Sequence, residues 1–492
     1  MYLILQKTIS TVVLLMFLLL TVSNYSKCTV IVENLDSTCD AILSRETIEE
    51  IDNYKSIVNK IVNATVEGTF RGRTWNELAD FVDEFGPRFA GTENLENAIK
   101  YVIKKSKKFG LENVHGEVAP IPHWIRGNES VTLLSPRKKD IKMLGLGYSV
   151  STPIGGITAD GIVVKSFDEL KSRANEVPGK IVIYNQEYVS YEDTVIYRSK
   201  GAVEAAKLGA VATLIRSITP FSIYSPHTGM MSYEKNVTKI PAACITIEDA
   251  ELLGRMADRG KIIKLKINME ARQLADTTSR NVIAEIVGNS QPNKVVVVSG
   301  HIDSWDVGQG AMDDGGGAFA SWCSVVLLKK LNLRPKRTIR AIMWTAEEMG
   351  IVGAQYYIKQ HKKDIKDLQF VMESDIGTFL PLGWEASGSR EVICILKRIT
   401  KLLSSMTPLN VKEPNSGPDI EEWTNAGVSG ASLWNKNNRY FWFHHSEGDT
   451  MNIESPKNLD MATALFAATA YILADINLDL SQNEFTPKSI SN

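Results

Sequence analysis

Residues 295–317 read VVVVSGHIDSWDVGQGAMDDGGG. Val295, Val296, Val297 and Val298 form an apolar run without polar alternation. The strand they predict is therefore buried on both faces, as in a sheet covered by helices on each side. His301 and Asp303 leave the end of that strand, and Asp313 and Asp314 follow in a loop whose three glycines lead into a helical stretch over 316–331. Working outward, residues 282–287 alternate as a strand, 340–344 read as a strand, 352–363 as a helix and 369–372 as a strand. This alternation predicts an α/β fold, in which sites form at the ends of successive strands.

Four further segments carry polar residues beside that frame: TAEEMG (345–350), MESDIG (372–377), NSGPDIEEW (415–423) and FHHSEGDT (443–450). Each has an ordinary explanation by itself. A single histidine at a strand end is commonly structural, adjacent glutamates suit a helix N-terminus, and Asp375 could simply cap. Gathered at successive strand ends, they supply two imidazoles, several carboxylates and a spare glutamate. That is the inventory of a two-zinc hydrolase: N/O ligands for each metal, one carboxylate to bridge, and one held off the metals as base. A ligand histidine needs its second ring nitrogen held by a carboxylate or carbonyl, and the H-x-D spacing of His301 and Asp303 offers that support. Neighbouring residues leaving a strand point in different directions, so one of Glu347 and Glu348 can bind metal while the other faces a water. The triple glycine is not followed by GK[ST], which excludes a phosphate-binding P-loop.

The chain has 492 residues and a net charge of −2, with both signs interspersed, so no nucleic-acid surface is expected. Lys7 precedes a charge-free stretch over residues 8–24, and Thr21 and Ser23 suit a cleavage site. Residues 1–23 read as a secretory signal peptide, too short in its apolar core to span ~30 Å of bilayer. Residues 24–55 are polar and acidic, a propeptide or a leading helix. No later segment is expected to span a membrane; residues 462–476 read as a core helix. In a secretory-pathway protein the sequons at Asn63, Asn128 and Asn236 become glycosylation sites. An extracellular, lysosomal, ER or Golgi destination stays open. Of the five cysteines, Cys28 and Cys39 could pair locally, Cys323 reads as core, and the lack of CxxC disfavours a thiolate zinc site.

Residues 86–111 read as a loop and then a helix, with Ile99, Val102 and Ser106 on an inner face and five lysines as a solvated one. From 151 to 272 short β-like runs alternate with Gly/Pro turns and no polar cluster stands out. We read 151–272 as an inserted non-catalytic domain, and 56–150 with 273–480 as the catalytic one.

The order H-x-D, D-D-G, E-E, D and H-x-x-x-D-T resembles the co-catalytic zinc exopeptidase family that includes bacterial leucyl aminopeptidases and glutamate carboxypeptidase. The likeness runs from about residue 55 to 480 and is closest to the carboxypeptidase members. It implies a three-layer αβα domain with a mixed sheet and an inserted, mainly-β domain of protease-associated type. It further implies two zinc ions per chain: His301 and Asp375 on one, Glu348 and His445 on the other, and Asp313 bridging. His445 rather than His444 has the family spacing to Asp449 and Thr450. Glu347 would be the general base, Asp303 would orient His301, and the Asp313-Asp314 peptide would be cis. The implied activity is hydrolysis of dipeptides and short peptides through a metal-bridged water, and the implied assembly is a homodimer. Ser416, Asp419 and Tyr440 are candidate substrate contacts. Whether the amino or the carboxyl end is trimmed is open, which keeps an aminopeptidase of the same family as an alternative. A catalytically inactive receptor-like homologue is the other, although such proteins lose ligands and this chain has the full set. A second two-zinc peptidase family carries its dimerisation insert after the E-E segment, whereas the insert here precedes His301.

Overall fold

The computed structural model describes residues 39–415 and 417–482. The signal segment, Cys28 and Ser416 lie outside them. A mixed eight-stranded sheet runs in the order Glu112–Ile121, Thr277–Ile286, Arg337–Trp344, Gln291–His301, Leu368–Glu373, Gly430–Asn435, Pro381–Ser387, Asn410–Lys412. Its centre is parallel: Gln291–His301 pairs in parallel with both Arg337–Trp344 and Leu368–Glu373, and the latter with Gly430–Asn435.

The valine run behaves as its sequence predicts. Val296 and Val298 join one core with the helices Gly316–Lys330 and Pro456–Asp475. Val295 and Val297 join another with Trp344, Tyr357 and Trp423, beneath the helix Val352–Gln360. Alternate side chains of a strand point to opposite faces, so a strand apolar at every position needs a helical layer on each side. The result is the three-layer arrangement, and it aligns the ends of the parallel strands where His301, Glu347, Glu348 and Asp375 emerge.

A second eight-stranded sheet runs Lys139–Ile141, Glu129–Ser135, Lys264–Met269, Ile157–Val164, Ile181–Tyr184, Ala212–Arg216, Ala242–Ile245, Met143–Gly145. It begins at residue 129, whereas the sequence reading opened the insert at 151. The three early strands are short and flanked by charged residues, so they carry little periodicity. Helices Phe167–Ser172, Tyr191–Lys207 and Ile247–Asp258 accompany this sheet. The middle one begins at Tyr191, where Ser190 caps it by accepting from the Asp193 N–H. The two layers share apolar packing: Trp305, Val307, Ala346 and Met349 lie in one cluster with Leu144, Val163 and Ile183.

The leading segment is helical, with Arg45–Asn53 and Lys55–Val66 burying Ile51, Val58 and Ile61 against the main core. Cys39 is bonded to Cys394, 355 residues away, not to Cys28. Sequence proximity favoured the local pair, and the fold brings the distant partner alongside. Cys244 and Cys323 are free and buried. Among the described residues no helix is long and apolar enough to cross a membrane. Asn63, Asn128 and Asn236 are all exposed.

Candidate metal centre

His301 is fully buried at the end of its strand. Its Nδ1 lies 3.0 Å from the main-chain carbonyl of Asp303. A carbonyl only accepts, so Nδ1 carries the proton and Nε2 presents its lone pair. That Nε2 faces Asp375 Oδ1 at 3.0 Å and Asp313 Oδ1 at 3.4 Å. On the other side His445 Nδ1 meets the carbonyl of Thr228 at 3.3 Å. Its Nε2 faces Glu348 Oε2 at 3.0 Å and Asp313 Oδ2 at 3.3 Å. Asp313 thus stands between the two imidazoles, one oxygen toward each. His444 stacks on His445 but reaches only to 3.6 Å from Asp313 and is not paired with Glu348.

The expected support of His301 by Asp303 is made by its carbonyl; the nearer carboxylate oxygen is 3.7 Å away. The Asp303 carboxylate instead accepts the main-chain N–H groups of Glu347 and Glu348. It therefore fixes the turn that presents both glutamates. Glu347 Oε2 lies 3.8 Å from His301 Nε2.

Four residues outside the predicted set hold this framework. Asp449 accepts from the main-chain N–H groups of Ala311, Met312 and Asp313. Asp314 accepts from the N–H groups of His301 and Gly317. The Asp313-Asp314 peptide is cis. Arg88, fully buried, donates to the carbonyls of Gly86, Ile302, Gln309 and Gly310. Glu373 accepts from the Ile420 N–H. Asp449 lies within the FHHSEGDT segment, a signal that was available. Glu373 lies within the MESDIG segment, likewise a signal that was available; Arg88 gave none, because its partners are main-chain carbonyls set by the tertiary fold.

Of the candidate substrate contacts, Tyr440 is buried, donates to the carbonyl of Asp375 at 3.1 Å and faces Asp313. Asp419 is buried beside Glu373, and neither of its carboxylate oxygens has a hydrogen-bond partner among the described residues.

The electrostatics call for cations. Burial first, and then the charges of Asp375, Asp303 and Asp313, push the Glu347 carboxyl up to about 8. Burial and Asp313 raise Glu348 well above its ordinary value. Burial lowers His445 to about 3. At His301 burial opposes the charge, but Asp313 and Asp375 prevail and draw a proton strongly. Asp313 Oδ2 and Glu348 Oε1 are buried with no hydrogen-bond partner among the described residues. Imidazole nitrogens aimed at carboxylate oxygens need a cation between them, a proton or a metal ion. His301, Asp313 and Asp375 each offer an atom within 4.8 Å of the others, and Asp313, His444 and His445 do likewise. Histidine nitrogen with carboxylate oxygen is a donor set zinc accepts, so the residues fit that metal.

A metal-dependent hydrolase on an α/β scaffold is the class these features define, and comparison with known proteins agrees. The model of peptidase family M28 matches residues 281–470. Carboxypeptidase Q of Mus musculus is 52% identical over 433 residues, which cover 88% of this chain and 92% of the mouse protein. The crystal structure of a peptidase M28 precursor from Shewanella amazonensis matches with a TM-score of 0.84 at 30% identity, covering 89% of this chain and 100% of that one. A zinc aminopeptidase from Bacillus subtilis shares the fold, with a TM-score of 0.64 at 19% identity over 85% of this chain and 99% of its own. The chain belongs to peptidase family M28 and, within it, to the carboxypeptidase Q family. It is a zinc metallo-exopeptidase.

Proposed function

We propose that the chain is a secreted exopeptidase with two zinc ions, which hydrolyses dipeptides and short peptides with free ends. The observation that carries the reading is Asp313 placed between the Nε2 atoms of His301 and His445, at 3.4 and 3.3 Å. In this reading His301 and Asp375 would hold one zinc and Glu348 and His445 the other, with Asp313, which faces both histidines, serving both. When bound, the pair supplies Lewis acidity and lowers the pKa of water toward ~7. Glu347 removes the proton of the attacking water and delivers it to the leaving amine. Tyr440 stands where it can orient the substrate or donate to the developing oxyanion. Asp419 would contact the substrate, as would Ser416, which lies outside the described residues.

The first sheet with its helices would form the catalytic domain, with the second sheet, from Glu129 to Met269, as an insert of protease-associated type. Residues 39–55 would remain with the mature enzyme, because Ile51 and the Cys39–Cys394 bond tie them to it. The signal segment and the exposed Asn63, Asn128 and Asn236 fit a glycoprotein of the secretory pathway, secreted or lysosomal, and the family suggests a homodimer.

Mass-spectrometric metal content, measured beside hydrolysis of one dipeptide in free, N-acetylated and C-amidated forms, tests the reading. Two zincs per chain and loss of turnover on blocking an end are expected, and the blocked end that abolishes turnover gives the polarity. A metal-free chain, or a zinc-loaded one that cleaves no dipeptide, would overturn it.

A further inference from the structure

The second sheet supplies the neighbours of His445. Thr228, from the loop that precedes Ala242–Ile245 in that layer, donates its N–H to the carbonyl of His445 at 2.9 Å. Its own carbonyl lies 3.3 Å from His445 Nδ1. His227 is 2% exposed, and its Nδ1 sits 2.6 Å from the carbonyl of His444. The acceptor is a carbonyl, so His227 is the donor. Thr219 Oγ1 reaches the carbonyl of Phe441 at 2.6 Å. Four hydrogen bonds therefore cross from one layer to the short segment bearing His444 and His445.

That segment needs outside support. His445 has φ +58°, in the left-handed region that residues other than glycine seldom occupy. A backbone held there is strained and persists where the surroundings over-determine it. The gripping loop is itself well anchored. The His227 N–H donates to Ser217 Oγ at 2.9 Å, Thr228 Oγ1 donates to the Gly145 carbonyl at 2.8 Å, and Arg198 Nη1 donates to the Thr228 carbonyl at 3.3 Å. Arg126 joins Thr228 Oγ1 to Asp306 of the main layer. By contrast, His301 is held within its own layer, by Asp303 and Asp314.

We infer that the second layer is a working part of the metal centre, with His227 and Thr228 as positioning residues that fix the backbone and tautomer of His445. The layer then governs occupancy of the cation site at Glu348 and His445, and leaves the one at His301 and Asp375 unaffected. This rests on the ligand assignment proposed above. It makes the insert more than an appendage: displacing it would release one metal selectively.

The test uses the full-length zinc-loaded protein as wild type, His227→Leu, His227→Asn and His445→Ala. Zinc content and the time course of zinc release to a chelator are measured, with the visible absorption of cobalt-exchanged protein as a reading of ligand geometry. An asparagine amide can occupy the place of Nδ1 and donate, whereas leucine cannot. His227→Leu is expected to hold one of its two zincs about 10- to 100-fold more weakly, the range typical for a group that orients a ligand. The other zinc should leave at the wild-type rate, and His227→Asn should restore both. Two tightly held zincs with wild-type release and cobalt spectrum in His227→Leu would overturn the inference. So would equal weakening of both zincs in His227→Asn, the variant that decides if the leucine protein fails to fold. Two zincs retained by His445→Ala, or fewer than two in the wild type, would instead remove the ligand assignment and this inference with it.

Discussion

The Asp303 carboxylate accepts the main-chain N–H of Glu347 at 3.0 Å, while its second oxygen takes that of Glu348 at 3.3 Å. One side chain just past the strand that ends at His301 therefore sets the turn that presents two glutamates just past the neighbouring strand. In Asp303→Asn an amide donor would face one of those N–H groups. We expect kcat to fall about 10- to 100-fold with the fold intact. Steady-state kinetics beside circular dichroism decides, and an unchanged kcat would show that the turn holds without it.

Glu347→Gln removes a base and leaves the shape. kcat should drop by about 10²–10⁴ while zinc content stays at the wild-type value. Activity retained in the zinc-loaded variant would move the base to another residue.

Asp313→Ala takes away the one carboxylate that faces both imidazoles. Here metal, rather than turnover at constant metal, is the first loss: zinc per chain should fall, and excess zinc should not restore activity. A variant that still carries two zincs would exclude the bridging role.

Glu454 is buried, accepts from Thr378 Oγ1 at 2.6 Å, and is raised by burial and then by Asp449 from an ordinary 4.5 to about 8. A folded-state pKa above the unfolded one means that the fold favours the protonated acid. Its contribution is therefore complete below pH 4.5 and is lost as pH climbs toward 8. Glu454→Gln should flatten the dependence of Tm on pH across that window. Thermal melts at several pH values check this, and parallel curves for the two proteins would rule it out.

The Cys39–Cys394 bond closes a loop of 355 residues and ties the leading helices to the helix Arg390–Leu402. Cys39→Ser should lower stability by about 2–4 kcal/mol, read as a drop in Tm that reducing agent reproduces in the wild type. A melt insensitive to both would show that packing of Ile51 and Val58 suffices.

Much of the catalytic layer was legible because its signals are local. A strand apolar at every position states that both faces are covered, and a histidine directly after it states where the strand ends. His301, Asp313, Glu347, Glu348, Asp375 and His445 could be read for the same reason: each sits in a short segment of unusual chemistry beside a strand. Signals failed where the partner is main chain or far away. Arg88 binds four carbonyls, Cys39 pairs across most of the chain, and the short strands from residue 129 look like loop until neighbours pair with them.

The chain alone carried the α/β scaffold and the inventory of candidate ligands in their order, since burial patterns and residue chemistry are properties of the chain. Only the tertiary structure decided that Asp313 stands between the two histidines, that the Asp303 carboxylate serves the glutamate turn rather than His301, and that the second layer grips His445. Those are hydrogen bonds and distances between segments many residues apart, and their partners are fixed by how whole layers pack.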